Sequence, residues 1–170
     1  MSRNPTRFDI TRALFVGATA GLAASFVMNV FQEAVEHFGP DDGGDDSGAE
    51  PATVQAAEGL ASMVGADLPK AFRPAAGSAI HYAFGAMLGA GYAVMAEYEP
   101  RAAAGAGAGF GVTTAIVMDE AAVPAAGLSD APWTFPLGTH AYALVSHLVF
   151  GMTVDAVRRG LYRAMLRVRF

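Results

Sequence analysis

The 170-residue sequence contains no cysteine and is poor in charged residues. The absence of Cys excludes a disulfide scaffold, a thiol enzyme and a zinc or iron–sulfur site built on Cys. Charged residues make up 16% of the chain, whereas soluble domains average about 25%. The chain is nevertheless not of the disordered type, because 53% of its residues are hydrophobic and disorder requires low hydrophobicity.

Four long stretches of the sequence carry no charged residue: 13–32, 75–96, 102–118 and 135–154. A helix needs about 20 apolar residues to cross a bilayer, and a soluble helix of that length needs a polar face. The stretches therefore predict an all-α membrane four-helix bundle that forms a single domain over 1–170. The expected spans are 13–37, 75–97, 102–120 and 135–157. A soluble Ala-rich bundle is the rival interpretation.

The positions of the basic residues predict the orientation of this bundle. Of the 11 Lys and Arg residues, only Lys70 and Arg73 fall on one side of the four-span arrangement. An excess of positive charge in short loops marks the cytoplasmic side. We therefore expect a multi-pass protein of the inner or plasma membrane with both termini in the cytoplasm.

The connections between the spans have distinct compositions. Residues 39–50 are rich in Gly and Asp and predict an acidic outer linker. Residues 52–66 have helical periodicity but are too short to cross a membrane, and predict an interfacial helix. The segment 121–134 contains Pro124, Gly127 and Pro132, which predict an irregular outer loop that acts as a lid.

Glycine pairs spaced four apart recur in the predicted spans. They are Gly17 with Gly21, Gly85 with Gly89, and the series Gly105, Gly107, Gly109 and Gly111. Small residues at this spacing let membrane helices approach closely. The spacing predicts packing inside the bundle and leaves a homo-oligomer open. The lipid bilayer is the other expected partner, and no feature predicts nucleic-acid binding.

Each predicted span carries His or carboxylate side chains toward its outer end. Ionisable residues at membrane depth are costly and mark function or a buried polar contact. The set predicts an ion site in the outer half, suited to proton or metal-ion handling or to a role in envelope stress. Its candidate residues are Glu33, His81, Asp119, Glu120, His140 and His147.

A divalent metal ion is the candidate cofactor of this site, with His81, His140, Asp119 and Glu120 as the best ligands. His140 and His147 share a helix face but lie roughly 10 Å apart along the axis, so they cannot hold one ion together. The alternative is a structural or partner-binding bundle in which these side chains serve packing alone. An enzyme is the less favoured class, and no catalytic residue is assigned.

Several runs resemble the YagU-like family of small multi-pass inner-membrane proteins, a domain family of unknown function. In chain order they begin with 21–29, together with Gln32, and with 51–58. They continue with 81–85 (HYAFG) and 119–129 (DEAAVPAAGLS), and end with 140–147 (HAYALVSH) together with Arg158 and Arg159. The resemblance covers about 17–163. It implies a multi-pass membrane protein without an assigned reaction, so it carries no functional residue over to this chain.

Overall fold

The computed structural model describes residues 7–38 and 50–167, which are mainly helical and contain no strand. The helices are α1 Arg7–Phe38, α2 Ala52–Met63, α3 Arg73–Tyr98, α4 Ala108–Val117, α5 Val123–Ala125 and α6 Leu137–Arg167. A π-helical turn, Met118–Ala122, joins α4 to α5. Short 3₁₀ turns lie at Lys70–Phe72, Pro100–Ala103 and Pro132–Thr134. The predicted all-helical fold class is confirmed.

Three segments are long and apolar enough to cross a membrane: Ile10–Phe38, Lys70–Tyr98 and Leu137–Arg167. Their mean hydropathies over the most apolar window are 1.8, 1.3 and 1.2. Between 22% and 39% of each window is buried inside the protein, so most of its side chains face outward. Phe15 and Met87, for example, are 67% and 60% exposed. Apolar surface of this extent is typical of contact with lipid or with another protein.

The predicted span 102–120 differs from the observed helix. Its α-helix begins only at Ala108, because Gly105 and Gly107 adopt left-handed conformations with φ of 76° and 84°. With ten residues, α4 is too short to count as a span by itself. The helical path nevertheless continues through the π-turn and α5. This path ends at Gly127 (φ 70°), where the N–H groups of Gly127 and Leu128 donate to the carbonyls of Pro124 and Val123, respectively.

The long helices pack in two close pairs at glycine contacts. Gly17 and Gly21 of α1 lie against α3, and a Cβ added at Gly21 would overlap the carbonyl of Gly85. Gly111 and Gly151 bring α4 and α6 together in the same way. These contacts lie at the middle of the bundle and toward the end that holds residues 7 and 167, which we call the terminal end. The opposite end is called the cavity end.

Helix α2 lies at the cavity end against α3. Its buried residues Val54 and Ala57 face α3, where Gly77 lies beneath the Val54 side chain. Met63 on its other side is 82% exposed. The helix thus falls within the segment 52–66, and its placement at a membrane interface stays a prediction. The predicted acidic linker lies outside the described residues apart from Glu50.

Candidate functional site

Two His–carboxylate pairs lie side by side at the cavity end. Glu120 Oε1 is 2.6 Å from His140 Nδ1, and Asp119 Oδ2 is 3.1 Å from His147 Nδ1. The two carboxylates are consecutive in the chain, whereas the two histidines lie two helical turns apart on α6. The neighbouring acidic residues therefore bind α6 at two depths, with the His147 pair closer to the middle of the bundle.

Both carboxylates belong to the π-helical turn rather than to regular α-helix. The turn covers Met118–Ala122 and closes with the N–H of Val123 donating to the Met118 carbonyl. π-Helical turns inside α-helices are rare and occur frequently at functional sites. The two acidic side chains of the candidate site thus lie on the least regular part of the α4–α5 path.

Backbone carbonyls orient both imidazole rings. Nε2 of His140 is 3.1 Å from the Pro132 carbonyl, so both ring nitrogens of His140 face acceptors. Only a ring protonated on both nitrogens donates to both of them. In His147, Nδ1 lies 3.0 Å from the Ala143 carbonyl and also approaches Asp119. The N–H on Nδ1 of His147 is therefore directed at the Ala143 carbonyl, and Asp119 lies at ion-pair distance from the same nitrogen.

A cavity of about 1120 Å³ lies between α1, α3, the π-turn and α6 at the cavity end. Its walls are largely apolar, with Phe84, Leu88 and Phe150 near its inner limit. The polar side chains that line it include Ser25, Asn29, His81, Thr114, Asp119, Ser146 and His147. The Asp119–His147 pair is therefore part of the wall, whereas His140 and Glu120 lie outside the described lining.

Besides Nε of the ion-paired Arg73, four buried polar atoms on this wall lack hydrogen-bond partners within the described chain: Ser25 Oγ, Ser146 Oγ, His81 Nε2 and Asp119 Oδ2. The last lies near His147 Nδ1, whose N–H is directed at Ala143. A buried polar group without a partner costs about 1–3 kcal/mol. Four such atoms from four elements lie on one cavity, and their hydrogen-bonding capacity is left for water or a ligand.

An aromatic cluster separates the cavity from the terminal end. The rings of Tyr92 and Phe110 stack with centroids 4.6 Å apart, and Phe110 lies 6.2 Å from Phe150. Tyr92 and Phe150 are almost completely buried. The polar groups at the cavity end are therefore divided from those beyond the cluster by packed apolar side chains.

Beyond the cluster, Asp155 forms a buried ion network that the sequence analysis did not predict. Its carboxylate is 1% exposed and lies 3.0 Å from Arg158 and 2.6 Å from Arg159. The hydroxyl of Tyr92 donates to it at 3.0 Å, and Arg159 also donates to the Ala103 carbonyl at 3.1 Å. The spacing of Asp155 three and four residues before two arginines is a signal that could have found it.

The structure brings five of the six predicted site residues to the cavity end of α3, the π-turn and α6. His81 lines the cavity without a carboxylate partner, and it lies close enough to His147 to influence it electrostatically. Glu33 is exposed on α1 and does not join either pair. Among the described residues, no group of three or more His, Asp or Glu side chains is arranged to hold a metal ion.

These features define an all-helical protein with three candidate membrane spans and a largely apolar cavity that several polar side chains line. A family model described as "Protein of unknown function (DUF1440)" matches residues 68–156. The match covers more than half of the chain, so this chain belongs to that family. The matched region contains His81, both His–carboxylate pairs and Asp155. No curated protein and no solved structure matches the chain.

Proposed function

We propose that the chain crosses the membrane four times as one domain, with both termini cytoplasmic, and that it is one of the YagU-like proteins. The helical path 108–125 supports a fourth crossing, because its 18 residues span about 27 Å at 1.5 Å per residue. A hydrocarbon core is about 30 Å thick. The terminal end carries Arg12, Arg101, Arg158, Arg159, Arg163 and Arg167, against Lys70 and Arg73 at the cavity end. This asymmetry supports an orientation with the cavity end outside.

The function that the geometry supports best is proton handling at the cavity end. The observation that carries it is the pair of neighbouring His–carboxylate contacts, Glu120–His140 and Asp119–His147. Histidine is the side chain whose ordinary pKa lies near physiological pH. A change of external pH therefore alters the charge of these contacts, and with it the attachment of the π-turn to α6.

The aromatic cluster favours sensing over conduction. Tyr92, Phe110 and Phe150 lie between the cavity and Asp155, and a proton path through the bundle would need polar groups or water there. The titratable groups of the cavity thus have access to one side only. The proposed protein responds to external protons and does not transport them.

The single tryptophan offers a direct test. Trp133 lies in the 3₁₀ turn whose first residue, Pro132, accepts from His140. Its fluorescence in detergent-purified protein should show a pH transition in the histidine range. We expect His140→Gln to remove the transition, because Gln does not titrate. The control Glu33→Gln, exposed and remote from both pairs, should keep it.

A structural or partner-binding bundle is the second candidate, favoured by the observation that both pairs fasten α6 to the π-turn. That function predicts no pH transition in the parent protein and a membrane partner that copurifies with it. Metal-ion handling is a third candidate function of the site. Elemental analysis of the purified protein tests it, with near-stoichiometric metal as the positive result.

A further inference from the structure

The unpartnered atoms inside the cavity share one hydrogen-bonding character. An ionised Asp119 only accepts hydrogen bonds, the hydroxyls of Ser25 and Ser146 can each accept one, and a neutral His81 ring accepts at its unprotonated nitrogen. These four side chains line the same space but come from α1, α3, the π-turn and α6. A ligand that donates hydrogen bonds therefore suits all of them. A primary ammonium group has three N–H donors and a positive charge that complements the Asp119 carboxylate.

The rest of the wall favours a hydrocarbon body on that ligand. Phe84, Leu88, Met118 and Phe150 line the cavity together with further aliphatic side chains. Its volume of about 1120 Å³ lies just above the 300–1,000 Å³ typical of sites for drug-sized ligands. A molecule with a small polar head and an apolar body therefore matches both the chemistry and the size of the space.

Charge at the cavity end favours a cation over an anion. The described acidic residues there are Glu33, Glu36, Glu50, Glu58, Asp67, Asp119, Glu120 and Asp130. The basic residues are Lys70 and Arg73, which line the cavity as Glu50 and Asp119 do. The guanidinium of Arg73 is already held by Glu50 at 2.7 Å and Glu58 at 2.6 Å. A surface with one dominant sign of charge concentrates counter-ions at the mouth of a cleft. An anionic head would meet the excess of acidic residues at this end and the carboxylate of Asp119.

From these observations we infer that the cavity binds a lipophilic primary amine. Its ammonium group lies among Asp119, Ser25 and His81, and its hydrocarbon body lies along Phe84, Leu88 and Phe150. The site is reached from the cavity end and is closed below by the aromatic cluster. This inference goes beyond proton handling, since the Glu120–His140 pair takes no part in it.

Three probes of similar shape test the inference on the full chain in lipid nanodiscs, with empty nanodiscs as the background for partitioning. They are 4-phenylbutylamine, 4-phenylbutanol and the N,N,N-trimethyl derivative of the amine. At one fixed pH, calorimetry should show saturable binding of the primary amine. The alcohol lacks the charge and the trimethyl derivative lacks N–H donors, so each should bind about tenfold more weakly or worse.

Variants locate the head group. Asp119→Asn should weaken amine binding about tenfold while leaving alcohol binding within about twofold, because only the amine gains from the charge of Asp119. Glu33→Gln, an acidic residue of the same end that does not line the cavity, should leave both unchanged. Leu88→Trp fills the inner part of the cavity and should abolish binding of all three probes. Monodisperse elution of each variant confirms that it is folded.

Equal affinity for the amine and the alcohol would overturn the inference, and so would binding no greater than to empty nanodiscs. Both comparisons use the parent protein, so they stand even if Asp119→Asn does not fold. Binding is measured at a single pH and is separate from the Trp133 titration. A missing pH transition therefore contradicts proton handling alone, whereas a missing preference for the amine contradicts this site alone.

Discussion

Replacing Gly21 by alanine should push α1 away from α3. The added Cβ would overlap the Gly85 carbonyl oxygen and would lie 2.7 Å from the Gly85 carbonyl carbon and 3.0 Å from Ala86 Cα. All three are backbone atoms, so no side-chain rotation relieves the contact. Carbon atoms prefer about 3.5–4.0 Å, and the helices must therefore separate by roughly 1 Å at this point.

The magnitude follows from two opposing effects. Overpacking of this kind costs about 1–3 kcal/mol, whereas alanine is favoured over glycine inside a helix by about 0.8–1.0 kcal/mol. Because only backbone atoms meet the added Cβ, the upper part of the overpacking range applies, about 2–3 kcal/mol, and the net loss for Gly21→Ala is about 1–2 kcal/mol. For a chain of this size, each kcal/mol lowers the melting temperature by roughly 2–4 °C. The expected decrease is thus about 2–8 °C.

Thermal unfolding in a mild detergent, followed by far-UV circular dichroism, measures this effect. Gly91→Ala on α3 is the matched control, because a Cβ at Gly91 meets nothing within 4 Å. It should leave the melting temperature unchanged or raise it slightly. If Gly21→Ala unfolds at the same temperature as the parent, α1 and α3 do not meet through these glycines and the packing argument is wrong.

Further predictions concern the ion pairs and the second glycine contact. Asp155→Ala should lower the free energy of unfolding by about 3–5 kcal/mol, because it leaves the charge of Arg158 buried without its partner. Asp155→Asn should lower it less, because the amide oxygen still accepts from Tyr92. A melting temperature of Asp155→Ala equal to that of the parent would refute the network. Arg73→Gln should leave the melting temperature close to that of the parent, because the contacts of Arg73 with Glu50 and Glu58 are partly exposed. On α4, Gly111→Ala should lower the melting temperature and Gly109→Ala should not, because of these two glycines only Gly111 lies against the α6 backbone. Equal melting temperatures for the two variants would contradict that contact.

The long apolar runs were sufficient to predict the helices that became α1, α3 and α6, because nothing in those runs competes with helix formation. The start of α4 was predicted too early. The sequence spacing predicts Gly105 and Gly107 as packing glycines, but in the structure their positive φ values form the turn before the helix. Gly107 also lies against the backbone of Gly151 on α6, so it serves both roles. Spacing alone does not distinguish a glycine that packs from one that turns the chain.

The candidate site was predictable in composition but not in pairing. A topology gathers residues at one end of a bundle, yet which carboxylate meets which histidine depends on the rotation of each helix and on the π-turn. Glu33 was included in the candidate site because of its predicted depth in the membrane, but it lies on an exposed face of α1. Asp155 was missed because it follows an uncharged run, where a charged residue is easily interpreted as the end of a span.

The most direct test of the account asks whether the path from α4 to α5 crosses the membrane and places the cavity end outside. The chain has no cysteine, so single-cysteine variants report sidedness without background. Arg101→Cys lies in the turn at the terminal end, and Asp130→Cys lies in the loop at the cavity end; both positions are exposed. A membrane-impermeant maleimide should label Asp130→Cys in intact cells and Arg101→Cys only after permeabilisation. Labelling of both positions from the same side would contradict the account.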